Sequence, residues 1–416
     1  MLKHALLALI KNGENSGMEF LRDDVRPEPL AKEIVALANF QGGRVLLGVE
    51  DDGSISGVAR ADLETWVMDT VFSRFVHPLL LPFYEEVSLD DGKRVAVVSI
   101  TQGTAKPYVL RHHGREEIYV RVGSTSRLAT REQQARLFAL GGLLHAEALP
   151  VSGTRFGDLS LERLRDYLLN RMGDTELPSD DAAWERRLEG LGFMVPQESA
   201  SSVCTIAGLG LFGHRPRRSL PQAGVRWMAF AGTSRDYQAL DDALLEGPLV
   251  ALLAAGSREV LEAGLIERVL DRMRPFISVE ASDVQETLRR ERSWFYPLEA
   301  LREALLNALV HRDWTRMPEV EVVSYADGLE ITSPGALQNS MTVEKMLAGQ
   351  RSPRNPLLVE VMRDYGYVDA RGMGVRRKIV PLIRAATGKD ALFEATEDYV
   401  RVVLPRRQDG VGATGA

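Results

Sequence analysis

Two groups of residues have the types and spacing to do chemistry. Near the amino end, Glu14 and Glu19 lie five apart, and Glu50-Asp51-Asp52 follows at the end of an apolar run. Carboxylates from separate elements that converge make a hard-oxygen site for Mg²⁺ or Mn²⁺. Such an ion can activate water and balance charge during phosphodiester cleavage. Asp51-Asp52-Gly53 is equally a turn former. Toward the other end, Glu303 and Asn307 stand four apart in LEALREALLNALVHRDW (298–314). On a helix they share one face, with Leu301, Leu305 and Leu309 on the opposite one. There a Glu can orient water and an Asn can hold Mg²⁺. Gly372 and Gly374 then lead into a segment with Arg376, Arg377 and Lys378. Glycines before a helix let backbone N–H groups approach phosphate, and the helix N-terminus favours its charge.

The chain that must position these groups has 416 residues, 45% apolar and 26% charged. That length suits two or three domains with a sizeable core and excludes a disordered or collagen-like chain. Net charge is −7, so a nucleic-acid binder would need a local basic patch. Residues 101–136 supply one, with Lys106, Arg111, Arg115, Arg121, Arg127, Arg131 and Arg136. Lys106, Arg121 and Arg127 are the choices for phosphate contact. Tyr108 and Tyr119 read as base-stacking or strand-packing residues. The single cysteine, Cys204, excludes an internal disulfide and a Cys-based zinc site. It reads as a buried apolar residue, and a reducing cytoplasm is expected. No apolar run spans a bilayer, so no membrane partner is expected. The opening MLKHALLALIK (1–11) reads as an amphipathic helix, not a signal peptide.

Periodicity predicts helices near 30–39, 63–75, 130–140, 160–171, 249–273, 298–310 and 375–385. Short apolar runs predict strands at 44–49, 93–100, 117–122, 225–231, 319–325, 329–332 and 399–404. Residues 54–58 read as the returning strand of a hairpin through Asp51-Asp52-Gly53. The small-residue segment TIAGLGLFGHRP (205–216) lacks the Lys-Ser/Thr of a P-loop and reads as close packing. His311-Arg312-Asp313 has no kinase glycine loop or lysine strand beside it. It reads as the end of the Asn-bearing helix.

The string Glu14-x4-Glu19-Phe20, AKEIVALANFQGGRVLLGVEDDGSISGV (31–58), Lys106-Pro107-Tyr108 and YVRVGSTSR (119–127) resembles the Schlafen AlbA-type domain in order and spacing. The resemblance implies nucleic-acid binding. Some relatives cut tRNA-like RNA with three metal-binding carboxylates, and others are described only as DNA-binding or regulatory. By position the first two carboxylates fall on Glu14 and Glu19 and the third within Glu50–Asp52, where Asp51 is favoured. Many relatives carry a lysine after the Glu-Phe pair. Here Leu21 stands there, and Arg22 is the nearby cation.

FYPLEALREALLNALVHRDW (295–314), ADGLEITSPGAL (326–337), Arg354-Asn355-Pro356 and ARGMGVRRK (370–378) together resemble a GHKL-type ATP-binding domain, in the branch that often follows a Schlafen AlbA-type domain. The resemblance implies ATP contacts from Glu303, Asn307, Gly335, Gly372 and Gly374, with Asn307 on Mg²⁺. Ser333-Pro334-Gly335 stands where an adenine-binding Asp-x-Gly is expected.

The sequence therefore predicts an α+β fold. A Schlafen AlbA-like domain occupies 1–145, a connecting α/β region 146–290, a GHKL-like sandwich 291–406 and a flexible tail 407–416. Two functions follow. One is metal-dependent cleavage of RNA by Glu14, Glu19 and Asp51 under the control of ATP, with weak ATP hydrolysis. The other is a non-enzymatic, ATP-sensing, DNA-binding regulator. Self-association into a homo-oligomer and a part in phage defence are implied by the family alone.

Overall fold

The computed structural model describes residues 1–407 except 104, 198–199, 258, 285–289, 339–340 and 369–373. It is α+β and divides into two compact units, residues 1–144 and 145–416.

The first unit is built on a four-stranded sheet. Its order is Met18–Leu21, Gly42–Leu47, Arg94–Thr101, Phe83–Ser88. The first two strands run parallel, with Glu19 in register with Val45. Parallel neighbours need a crossover, and the helix Pro27–Asn39 provides it. Two prolines in its first turn supply preset φ angles where N–H donors have no helical partner. The helix ends at Asn39, and the next strand opens at Gly42, whose φ of +82° suits glycine; a Cβ there would lie 2.5 Å from the Ile100 carbonyl oxygen.

Alternation along the strands fills both faces of the sheet. Val45, Leu47, Ala96 and Val98 pack with Leu30, Ile34 and Leu37 of this helix. Leu46, Val95 and Val97 pack with Leu6 and Ile10 of the helix Lys3–Lys11. A separate hairpin, Tyr119–Val122 with Thr125–Leu128, precedes the helix Arg131–Leu140, which Thr130 caps. The expected returning strand at 54–58 is reduced to one bridge, Val49 with Ile55. Gly57 N–H still reaches the Gly48 carbonyl, and the chain then turns away, with Val58 N–H bonded to the Arg94 carbonyl on the next strand.

The second unit carries a six-stranded mixed sheet. Its order is Asp241–Leu245, Val225–Ala229, Val320–Ser324, Gly328–Pro334, Tyr399–Pro405, Leu392–Ala395. Two of these strands come from 146–290, so that stretch and the carboxyl-terminal segment share one sheet and one core. The helices Leu265–Ile277, Leu298–His311 and Val380–Thr387 pack on this sheet. Helical periodicity from 249 was overridden up to Gly264. Leu252–Leu253 pairs with Val260–Glu262 instead, because Gly256-Ser257 makes a turn between them. The TIAGLGLF segment forms the fully buried helix Ile206–Phe212. A Cβ on Gly208 would come 2.3 Å from the Phe193 carbonyl oxygen, so the glycine serves close packing. Cys204 is buried, and burial raises its thiol pKa to about 11. Among the described residues no helix is long and apolar enough to cross a membrane.

Candidate functional site

In the first unit the acidic residues meet a buried arginine. Arg121 has a fully buried side chain. Its Nη1 donates to Glu19 Oε2 at 2.7 Å, to Glu33 Oε2 at 2.8 Å and to Ser126 Oγ at 3.2 Å. Its Nη2 donates to the carbonyls of Asn15 at 2.7 Å and Met18 at 3.3 Å. Ser126 Oγ also donates to Glu33, and Lys32 Nζ lies 3.3 Å from Glu33 Oε1. Burial raises the Glu19 pKa to about 7; the Glu33 and Glu14 charges push the same way, against the opposing Arg121. Glu14 accepts the Phe20 N–H at 3.0 Å.

Glu14 and Glu19 are thus brought together, and Glu33 joins them. Asp51 is exposed on the turn beyond the strand that ends at Leu47. Beside it, Asp52 Oδ1 accepts the Ser54 N–H at 2.8 Å, a turn contact. No group of three or more acidic, histidine or cysteine side chains among the described residues could hold a metal ion. At Glu19 one carboxylate oxygen, Oε2, is held by Arg121.

The basic residues divide into two kinds. Lys106, 7% exposed, donates Nζ to the Phe40 carbonyl at 2.8 Å. Together with Arg121 it lies beneath the surface. Arg22 is exposed beside Asp24, and Arg127 is exposed on the hairpin. Tyr108 is buried. Its N–H and carbonyl are held by Asn39, whose Nδ2 also reaches the Tyr119 carbonyl at 2.9 Å. Glu33 was missed in the sequence. A charged residue between Leu30 and Leu37 on an apolar helix face was its signal.

In the second unit the sequence-selected residues meet around one cavity of about 310 Å³. Glu303, Asn307, Gly335 and Gly374 all line it. Gly372 lies outside the described residues. The helix Leu298–His311 forms one wall, and Asn307 Nδ2 donates to Glu303 Oε1 at 3.2 Å. That bond fixes the amide and leaves its carbonyl oxygen to take a cation. Glu303 packs hard on Gly374, where a Cβ would stand 1.6 Å from Oε1. At the other end Ser333 Oγ donates to the Ala308 carbonyl at 2.8 Å, so Ser333 is spent on the fold. Gly335, at φ +106°, lies against Asp313; a Cβ there would be 2.4 Å from the Asp313 Cβ.

The motif residues flanking the cavity hold its walls. Asn355 Nδ2 donates to the carbonyls of Val310 at 2.7 Å and Arg312 at 2.9 Å, pairing helix-end acceptors that have no helical partner. Arg354 Nη1 lies 3.2 Å from Asp313 Oδ2. Arg312, 1% exposed, donates to the carbonyls of Gln222, Arg316 and Pro318. His311-Arg312-Asp313 therefore ends the helix and ties it down, as read from the sequence. Burial, with the Arg354 charge, lowers the His311 pKa to about 4.

The family described as "Schlafen, AlbA_2" matches residues 13–130. The family described as "Putative ATP-dependent DNA helicase recG C-terminal" matches residues 318–404. No curated protein matches the sequence. The crystal structure of the DIP2311 protein from Corynebacterium diphtheriae is 21% identical, with a TM-score of 0.42; the alignment covers 97% of this chain and 68% of that one. The solution structure of the N-terminal domain of a "Putative ATP-dependent DNA Helicase RecG-related Protein" from Nitrosomonas europaea is 22% identical, with a TM-score of 0.24. It covers 31% of this chain and 94% of its own. The chain thus joins a Schlafen AlbA_2 segment to a RecG carboxyl-terminal-type segment, the architecture its motifs had indicated.

Proposed function

We propose that the chain is a nucleic-acid-binding protein whose second unit binds ATP, the non-cleaving reading of the two that the sequence left open. The observation that carries it is the convergence of Glu303, Asn307, Gly335 and Gly374 on one cavity. Residues from three separate motifs meet around that one space. The volume falls within the roughly 300–1,000 Å³ of small-ligand sites. The matched family's own description, an ATP-dependent DNA helicase carboxyl-terminal segment, supports a nucleotide there. The amide oxygen of Asn307 would hold Mg²⁺, fixed by Glu303. When bound, that ion would balance the charge of the phosphates. Arg22 and Arg127 are the phosphate-facing cations of the first unit, while Lys106 and Arg121 hold the fold beneath them.

Titration calorimetry with a non-hydrolysable ATP analogue and Mg²⁺ tests the nucleotide half. Saturable binding that Asn307→Ala removes is expected; no heat from the wild-type protein ends the reading. A gel shift on duplex DNA in chelator tests the other half. The second reading, metal-dependent cleavage of tRNA-like RNA, draws on the nearness of Glu14, Glu19 and Glu33. Cleavage with Mn²⁺ or Mg²⁺ that Glu19→Ala abolishes would replace the non-cleaving reading.

A further inference from the structure

A buried carboxylate fastens the start of the second unit to a wall of the cavity. Residues 145–151 form the link that follows Leu144, the last residue of the first unit. The link opens with the short 3₁₀ turn Ala146–Ala148, in which Glu147 is 1% exposed. The two Glu147 oxygens accept the N–H groups of Leu357 and Leu358, each at 2.8 Å. Those are the second and third residues of the helix Pro356–Asp364, where N–H donors have no helical partner. Burial raises the Glu147 pKa, while the two N–H groups and the nearby His145 charge pull the other way. A serine at the cap position would satisfy such donors without burying a charge. That position is occupied by Asn355, which makes no cap bond with its side chain. Its amide is turned instead to the Val310 and Arg312 carbonyls at the end of the helix Leu298–His311. The cap therefore comes from the distant link.

The helix Pro356–Asp364 is itself part of the cavity, through Val359 and Arg363. With Asn355 these two fall at steps of four, so all three share a face. The start of this helix thus has two attachments. Asn355 reaches the helix that carries Glu303 and Asn307, and Glu147 reaches the link. Among the described residues none of 145–151 lines the cavity. An effect of a cavity ligand on the link must therefore pass through the protein between them. Glu147 is the polar contact that joins the link to a cavity-lining helix.

We infer that Glu147 is a positioning residue that makes the link and the cavity-lining helix open and close as one unit, so that a ligand seated against Val359 and Arg363 also tightens the segment leading from the first unit. The inference rests on the nucleotide reading above and adds its regulation, a means for occupancy of the cavity to be felt outside it. A ligand that binds only the closed form suppresses every opening that breaks its site. Backbone amides exposed by that same opening gain the same protection, and amides that open independently gain none.

Hydrogen exchange on the full chain, read by mass spectrometry with and without a non-hydrolysable ATP analogue and Mg²⁺, tests this. The reporting amides are Ala148 and Leu149, which donate to the His145 and Ala146 carbonyls. Saturating analogue should slow their exchange at least about tenfold, with a ceiling of about a hundredfold when the analogue is at about a hundred times its Kd. In Glu147→Ala the analogue should still bind and still protect residues 356–364, while the link no longer responds. A purely structural loss would speed exchange throughout the unit and leave the response in place. Glu147→Gln keeps one acceptor and should recover part of the response; it serves as the test variant if the alanine form does not fold. A link indifferent to bound analogue in the wild-type protein would overturn the assignment. So would an equal response in Glu147→Ala. A wild-type protein that does not bind the analogue would instead remove the nucleotide reading on which this one stands.

Discussion

The carboxylate of Glu19 and the guanidinium of Arg121, 102 residues apart in the chain, meet at 2.7 Å inside the first unit. Glu33 shares the same Nη1 at 2.8 Å. One buried cation therefore answers two carboxylates, and removing it leaves Glu19 without a counter-charge and Glu33 with Lys32 alone. Arg121→Ala should cost about 3–5 kcal/mol of stability in urea unfolding. A loss below about 1 kcal/mol would mean that the network does not hold the unit together.

Arg127 on the same hairpin offers the contrast. It is exposed, so Arg127→Ala should leave stability within about 0.5 kcal/mol. If Arg127 meets phosphate, the variant should bind duplex DNA more weakly, with a salt dependence shallower by about one unit of slope. An unchanged slope would remove Arg127 from the interface.

Glu19 gives the first unit a pH signature. Burial raises its folded pKa to about 7, while the ordinary value is 4.5. Between these values the unfolded chain has lost its proton and the folded chain keeps it. The folded state then binds more protons, so stability falls as pH rises from about 4.5 to 7 and levels off above. Glu19→Gln cannot titrate and should lack this decline. Melting temperatures of the two proteins from pH 4.5 to 8 check it; superimposable profiles would show that Glu19 does not titrate as assigned.

The contrast between Arg121 and Arg127 shows where sequence reading reaches its limit. In YVRVGSTSR the alternation suggests valines inward and arginines outward. The structure does the reverse at two positions, with Arg121 buried and Val122 43% exposed. Arg121's partners are Glu19 and Glu33, brought close only by the folded chain, and no local pattern reveals such a pair. The helix Leu298–His311 was different. Its face could be read because Glu303 and Asn307 are neighbours on one element. The glycines at the cavity ends were found through motif order, yet their reason, the close approach of Glu303 and Asp313, is visible only in three dimensions. The shared sheet of 145–416 was equally hidden, since Val225–Ala229 pairs with Val320–Ser324 across most of that unit.

Asn355 shows how a motif residue outside the ligand's reach can still matter. It is fully buried, and its Nδ2 joins the carbonyls of Val310 and Arg312 at the end of the cavity helix. Asn355→Asp keeps the shape but cannot donate there. Each buried carbonyl left unpaired costs about 1–3 kcal/mol, so a loss of about 2–4 kcal/mol is expected by denaturant titration. A near-neutral result would mean that the helix end finds other donors.

Glu303 and Gly374 make the sharpest test of the cavity's architecture. Gly374 has an ordinary helical φ of −58°, so its backbone would accept any residue. What forbids a side chain is the Glu303 carboxylate, which would overlap a Cβ at 1.6 Å. Gly374→Ala must push Glu303 aside or shift the helix entry, at a cost of about 1–3 kcal/mol. Glu303→Ala clears that space. The double variant should therefore be more stable than the two single losses predict, with a coupling of at least about 1 kcal/mol in a double-mutant cycle. ATP-analogue binding should fall in Gly374→Ala and stay low in the double variant, because relieving the clash does not restore the side chain that fixes Asn307. Additive stabilities would mean that the two residues do not touch in solution, and the wall between them would have to be redrawn.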